Sequence, residues 1–281
     1  MDKVLILGAK GMLGGQLIKV FPGAVSWDRG DVDVLDFENL KSKILGLPSR
    51  PEAIINCVAF NDVDGAEENQ AAAFALNSEL AGKLAEFCKE QNIILVHFST
   101  NYVFDGGKGE YKEDDEPCPL SVYGQSKYRG EREIQKNTGK FYLIRTAVLF
   151  GPKGESEASK KSFVDLMLQL SEKSATIKAV TDEVNSLTLA ADLAKRVKYL
   201  LDTNQPFGIY HVTNGGQASW YDFAKEIFSI TKKDVKLIPV PSTEFLRKAR
   251  RPKKSVLINT KLPRERSWQD ALKGFLLISS D

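Results

Sequence analysis

The chain opens on Val4-Leu5-Ile6-Leu7 and runs at once into Gly8-Ala9-Lys10-Gly11-Met12-Leu13-Gly14, followed by an amphipathic stretch to Val20. A short apolar run, stopped by glycine and followed by helical periodicity, predicts a buried strand, a tight turn and a helix. Each glycine has its own task. Gly8 permits the turn, Gly11 lets a phosphate approach the backbone, and Gly14 lets the helix pack against the strand. Lys10, Gly11, Met12 and Leu13 form the turn and helix start, where free N–H groups and the positive dipole end suit a pyrophosphate. Such a turn fits few architectures, because it needs a parallel sheet whose strand ends face a ligand.

The rest of the first half repeats that unit. Further strands are predicted at Ala24–Trp27, Ala53–Val58, Ile93–Phe98 and Phe141–Arg145, and helices at Gly11–Val20, Phe37–Leu45, Asp64–Glu90 and Pro119–Gln135. Nearly continuous apolar runs are those of strands buried on both faces. Repeated strand–helix units with right-handed crossovers predict an α/β fold with a doubly wound parallel sheet of Rossmann type. Gly151-Pro152 breaks the pattern, and Lys153–Lys161 is polar. Helices follow at Phe163–Leu170, Leu189–Leu201, Ser219–Ile230 with Ser219 as N-cap, and Trp268–Leu277, with strands at Ile209–Val212 and Val235–Val240. This predicts a dinucleotide-binding domain from 1–150 and 189–213, and a smaller irregular substrate-binding lobe from 151–188 and 214–281.

Composition excludes several classes of function. Lys and Arg number 39 against 37 Asp and Glu, so neither nucleic acid nor an anionic membrane has an electrostatic footprint to bind. Three cysteines, Cys57, Cys88 and Cys118, with no CxxC spacing, argue against a disulfide framework. The two histidines, His97 and His211, are too far apart to imply a metal site, and none is predicted. No apolar run reaches the roughly 18 residues that span a bilayer, and VLIL is too short for a signal peptide. The expected location is cytoplasmic.

The second predicted strand ends in Trp27-Asp28-Arg29, about 20 residues past the glycine loop. An acid there holds the ribose 2′-hydroxyl of NAD, and an arginine the 2′-phosphate of NADP. With Arg29 beside Asp28 and Lys10 within reach, NADPH is the expected cofactor, with NADH tolerated.

Tyr123 and Lys127 stand at i and i+4, on one helix face. A free phenol has a pKa of about 10, and lowering it by about three units takes roughly 4 kcal/mol. One ammonium about 4 Å away, at an effective dielectric near 20, supplies about that much. The preceding predicted strand closes on Ser99-Thr100-Asn101-Tyr102, which puts hydroxyls at the sheet edge where open α/β sheets bind ligands.

These pieces together resemble the extended short-chain dehydrogenases/reductases and, more narrowly, the dTDP-4-dehydrorhamnose reductase family. The resemblance runs through GAKGMLG (8–14), WDRGDVDVLD (27–36), NCVAFNDVDGAE (56–67), STNYVFDG (99–106), VYGQSK (122–127), IRTAVLFG (144–151), SWYDFAKEIF (219–228) and ARRPKKSVL (249–257). It implies a nucleotide-linked 4-keto-6-deoxyhexose as substrate, reduced at C4 by NAD(P)H. Thr100, Tyr123 and Lys127 fall on the catalytic positions: Tyr123 gives the proton, Lys127 lowers its pKa and holds the nicotinamide ribose, and Thr100 binds the carbonyl oxygen. Asn56, Ala59, Asn77 and Ser99 fall where the cofactor is touched or its site supported. Asn101, Tyr102 and Val148 fall on the sugar side. Arg251 and Ser255, in the RRPxxS pattern, fall on the diphosphate side, where arginine forks suit phosphate oxygens.

Three departures stand out. Val148 replaces a tryptophan frequent in the family, Asn101 replaces the aspartate of STDYVFDG, and Thr181–Ala190 lacks the usual glycine–x–proline–threonine flavour. They touch the substrate half alone, and those around Val148 and Thr181–Ala190 motivate a second hypothesis, a non-catalytic NADP-binding subunit similar to the regulatory subunit of methionine adenosyltransferase. Retention of the tyrosine–lysine pair argues against it. An epimerase or dehydratase ranks below both, since the further acid–base residues it needs are not evident. The sequence leaves open a homodimer and an interfacial Mg²⁺.

Overall fold

The computed structural model describes residues 3–156 and 159–278, so Glu157 and Ala158 of the polar stretch lie outside the described residues. The first half contains β1 (Val4–Leu7), α1 (Met12–Val20), β2 (Val25–Trp27), α2 (Phe37–Leu45) and β3 (Ala53–Asn56). A broken helical run follows, α3 (Val63–Glu68), α4 (Gln70–Phe74) and α5 (Leu80–Gln91), then β4 (Ile94–Thr100), β5 (Gly109–Tyr111), α6 (Val122–Asn137) and β6 (Phe141–Thr146). The second half holds β7 (Leu149–Phe150), α7 (Phe163–Ser171), β8 (Thr176–Val180), β9 (Val184–Asn185), β10 (Thr188–Leu189), α8 (Ala190–Asp202) and β11 (Gly208–His211). It ends with β12 (Ala218–Ser219), α9 (Trp220–Thr231), β13 (Lys236–Val240), β14 (Lys254–Leu257) and α10 (Trp268–Ile278).

Six strands form one parallel sheet in the order β11-β6-β4-β3-β1-β2, the doubly wound architecture expected. Alternate residues of each strand serve opposite cores. Val4, Ile6, Ala53 and Ile55 pack with Leu13, Leu17 and Leu193 on one face. Leu5, Leu7 and Ile54 pack with Leu40, Ile44 and Leu84 on the other. These positions on both faces are therefore apolar, and each fully buried Leu or Ile contributes about 1.5–3 kcal/mol. Strand order reverses at β1, which lies between β2 and β3, so the crevice for a ligand opens at the glycine loop.

The helix expected over Asp64–Glu90 is not continuous. It breaks at Asn69, and a π-helical turn spans Ala75–Glu79. The cause is tertiary: Asn77 turns inward in that turn, and its carbonyl lies only 2.0 Å from where a Cβ on Gly130 of α6 would stand. β3 likewise stops short of Val58, because the Asn56 side chain takes the Val58 N–H at 3.0 Å.

The other strands build a smaller lobe, with a four-stranded sheet β12-β9-β14-β5 and the pairs β13-β8 and β10-β7. Its core holds Phe150, Phe223, Ile227, Trp268 and Leu272. β5, from inside 1–150, pairs with β14 in this lobe, whereas α8 packs on α1 and β11 pairs with β6. Ser219 caps α9 as expected, in a reciprocal box with Asp222. Ser219→Ala should cost about 1 kcal/mol, read as a lower denaturant midpoint at unchanged slope. Among the described residues, no helix is long and apolar enough to cross a membrane.

Candidate active site

The glycine loop is a cradle that side chains would fill. Gly8 has φ +77°, and its N–H and that of Ala9 both donate to the Trp27 carbonyl, at 2.9 and 3.1 Å. A Cβ on Gly14 would meet the Gly8 carbonyl oxygen at 2.3 Å and Ala9 Cα at 2.7 Å, so α1 can start this close to β1 only without a side chain there. Gly11 caps α1 without a side-chain acceptor, so the N–H groups that start the helix are of the kind that suits an anion, and the Gly154 backbone packs against them, a Cβ there falling 2.7 Å from the Met12 nitrogen. Lys10 and Arg29 are exposed on this edge, with Asp28 half-buried beside them. Opposite lies the 56–60 loop containing Ala59. Asn56 binds the Val58 N–H, and Asn77 holds Phe60 from both sides, accepting from its N–H at 2.9 Å and donating to its carbonyl at 3.1 Å. Asn77 also donates to Ser126 Oγ at 2.9 Å, which ties this loop to α6. Both asparagines support the loop through their own buried hydrogen bonds. The cradle fits a dinucleotide pyrophosphate.

Tyr123 reaches the site because of its neighbour. A Cβ on Gly124 would stand 2.3 Å from the Tyr102 carbonyl oxygen, so the first turn of α6 lies directly against the turn after β4. Tyr123 is thereby set beside Thr100 and edge-on to Tyr102, with ring centroids 5.9 Å apart. Thr100 Oγ1 accepts the Tyr102 N–H at 3.2 Å. Burial pushes the Tyr123 phenol up to about 12, and the Thr100 hydroxyl opposes this. This corrects the expected electrostatics, in which Lys127 lowers the phenol. The Lys127 ammonium instead donates to the Phe98 carbonyl at 2.5 Å, and burial brings it down to about 8 against the attraction of Glu131. Ser99, buried, donates to Glu131 Oε1 at 2.5 Å, so its hydroxyl faces α6.

On the substrate side the predicted residues separate. Asn101 and Ser255 are enclosed and satisfy each other: Asn101 Nδ2 donates to Ser255 Oγ at 2.7 Å and to Asn185 Oδ1 at 2.9 Å. They pin the end of β4 to β14 and β9, which corrects the expectation of direct substrate contact. Val148 is half-buried against the smaller lobe's core, and its φ of +36° is uncommon for a β-branched residue. Arg251 forks onto Asp64, at 3.1 and 2.7 Å, which holds that carboxyl down at about 2. A cavity of about 560 Å³ opens beside it, lined by Arg247, Arg250, Arg251, Lys253, Asp105 and Phe245 among others. The cations of the 247–254 stretch are not bare, however. Arg247 pairs with Glu183, Lys248 with Glu68, Lys253 with Asp182 and Lys254 with Glu110.

Sequence reasoning missed Asp64, Asn185, Glu131 and Arg145. Only Glu131 left a signal, since it continues the four-residue spacing of Tyr123 and Lys127 on one helix face.

Fold, glycine cradle and the Thr100–Tyr123–Lys127 edge together define a protein of the extended short-chain dehydrogenase/reductase class. Within that class, the chain belongs to the RmlD substrate binding domain family, whose model matches residues 2–279. It is 35% identical to a dTDP-4-dehydrorhamnose reductase of Streptomyces griseus, over 95% of this chain and 91% of the relative. A crystal structure of the Bacillus anthracis dTDP-4-dehydrorhamnose reductase in complex with NADP superposes with a TM-score of 0.92, at 32% identity, covering 99% of this chain and 100% of the other. The Clostridium acetobutylicum dTDP-4-dehydrorhamnose reductase is similar to the same degree, with a TM-score of 0.92, 35% identity and coverage of 99% and 100%.

Proposed function

We propose that this protein reduces the C4 ketone of a nucleotide-linked 4-keto-6-deoxyhexose, with dTDP-4-dehydrorhamnose converted to dTDP-L-rhamnose as the leading reaction and NADPH as the preferred reductant. The observation that carries the reading is the placement of Thr100 beside Tyr123 at the sheet edge that also carries the glycine cradle. The relatives' activity and the NADP held by the Bacillus anthracis protein support it.

When bound, NADPH supplies the hydride to C4. Gly8, Gly11 and Gly14 with the α1 start would hold the pyrophosphate, and Lys10 and Arg29 would hold the 2′-phosphate. Lys127 would bind the nicotinamide ribose. Tyr123 gives its proton to the ketone oxygen, and Thr100 donates a hydrogen bond to that same oxygen as charge grows there. Residues 1–150 and 189–213 then serve mainly the cofactor, and 151–188 with 214–281 mainly the substrate, with Tyr102, Val148 and Arg251 at the boundary. A cytoplasmic enzyme acting as a homodimer fits the same reading. Purified protein given NADPH and dTDP-4-dehydrorhamnose should bleach the nicotinamide absorbance and form the rhamnosyl nucleotide. Absence of oxidation with every 4-keto sugar nucleotide tried, with NADPH still bound, would favour a regulatory NADP-binding role instead.

A further inference from the structure

Glu131 is fully buried, one helical turn beyond Lys127 and two beyond Tyr123. Its carboxylate accepts three hydrogen bonds: from Ser99 Oγ at 2.5 Å, Arg145 Nε at 3.0 Å and Arg145 Nη2 at 2.7 Å. Ser99 immediately precedes Thr100 on β4, and Arg145 lies on the neighbouring strand β6. A buried pair made for stability alone gains little over two apolar residues of similar volume. This one has a third donor at the strand end that carries Thr100, and its carboxylate stands one helical turn from a buried lysine.

We propose that Glu131 is a positioning residue for the reduction: it keeps the Lys127 ammonium charged and, through Ser99, fixes the strand end that carries Thr100. The proposal rests on the ketoreductase reading above. The groups facing Lys127 explain why this carboxylate matters. Cys57, just after β3, is a thiol pushed up by burial and stays neutral. His97, on β4, is held well below the usual imidazole range and is neutral too. Tyr123, on the same helix, keeps its proton. Arg145 lies behind Glu131, bound to it. Glu131 is thus the anion that offsets the burial of Lys127. A neutral Lys127 would offer the ribose no charge.

The test is the pH profile of kcat for the wild type, Glu131→Gln and Glu131→Gln/Arg145→Met, with NADPH and the keto sugar nucleotide. The single variant strands a buried guanidinium; the double variant removes both charges and keeps the measurement possible if the single one does not fold. The alkaline limb should move acidward by at least one pH unit in either variant, a tenfold loss at pH 8 relative to its own plateau. Profiles that superimpose on the wild type after scaling would overturn the proposal and leave Glu131 a structural ion-pair partner. If the wild type itself does not oxidise NADPH, the ketoreductase reading falls separately. The pH dependence of NADPH binding, followed by nicotinamide fluorescence, then decides the role of Glu131 by the same acidward shift or its absence.

Discussion

Tyr123→Phe is expected to lower turnover about 1,000-fold, within the range a positioned general acid contributes, while NADPH binds as before. The ring stays, so its edge-on contact with Tyr102 and its packing are kept. Only the hydroxyl beside Thr100 is lost. With the phenol held near 12, the acid carries its proton throughout the neutral range, so the wild type has no acid-depletion limb there. The alkaline limb belongs to Lys127: its pKa is depressed to about 8, and the ammonium is present below that pH and lost above it. Steady-state rates with the keto sugar nucleotide, alongside fluorescence titration of NADPH, check both statements. A loss smaller than tenfold would take Tyr123 out of the proton-donating role.

Arg145→Met is expected to destabilise the fold by roughly 3–5 kcal/mol, because it leaves the Glu131 carboxylate buried and unpaired. Arg145 is 2% exposed and Glu131 is fully enclosed, so water cannot replace the guanidinium without opening the helix–sheet interface. Arg145 also donates to the Glu113 carbonyl at 3.3 Å and lies over the Phe104 ring at 5.1 Å, so its removal loosens the segment leading into the smaller lobe. Denaturant unfolding measures the change directly. The Glu131→Gln/Arg145→Met double variant should recover much of the loss, since neither charge then needs a partner. A double variant no more stable than Arg145→Met would show that packing, and not the stranded charge, sets the cost.

Much of this is legible in the residues. Continuous apolar runs mark strands buried on both faces, and β1, α2 and the Ser219 cap fall where the pattern puts them. The Tyr123–Lys127 spacing places both side chains on one face of α6. Spacing does not say where an ammonium points, though. A separation of about 4 Å from the phenol takes no account of the Phe98 carbonyl, which belongs to a strand folded against that helix. The same limit applies to Asp64–Glu90: helical propensity is continuous there, and only the approach of Gly130 to Asn77 shows why the run contains a π-turn. Along the chain Arg251 looks like a cation awaiting phosphate, yet its partner Asp64 lies 187 positions away.

The amino-acid sequence alone determined the doubly wound sheet, the glycine cradle and the residue types at its edge. These follow from local rules: side-chain period, glycine's lack of a Cβ, and four-residue helical spacing. Only the tertiary structure decided which groups are charged and what they touch. Burial raises Tyr123 and lowers Lys127, Glu131 faces Arg145 across two elements, and Asn101 closes on Ser255. Desolvation and pairing depend on what other segments bring to the same few ångströms, and no pattern along one segment records that.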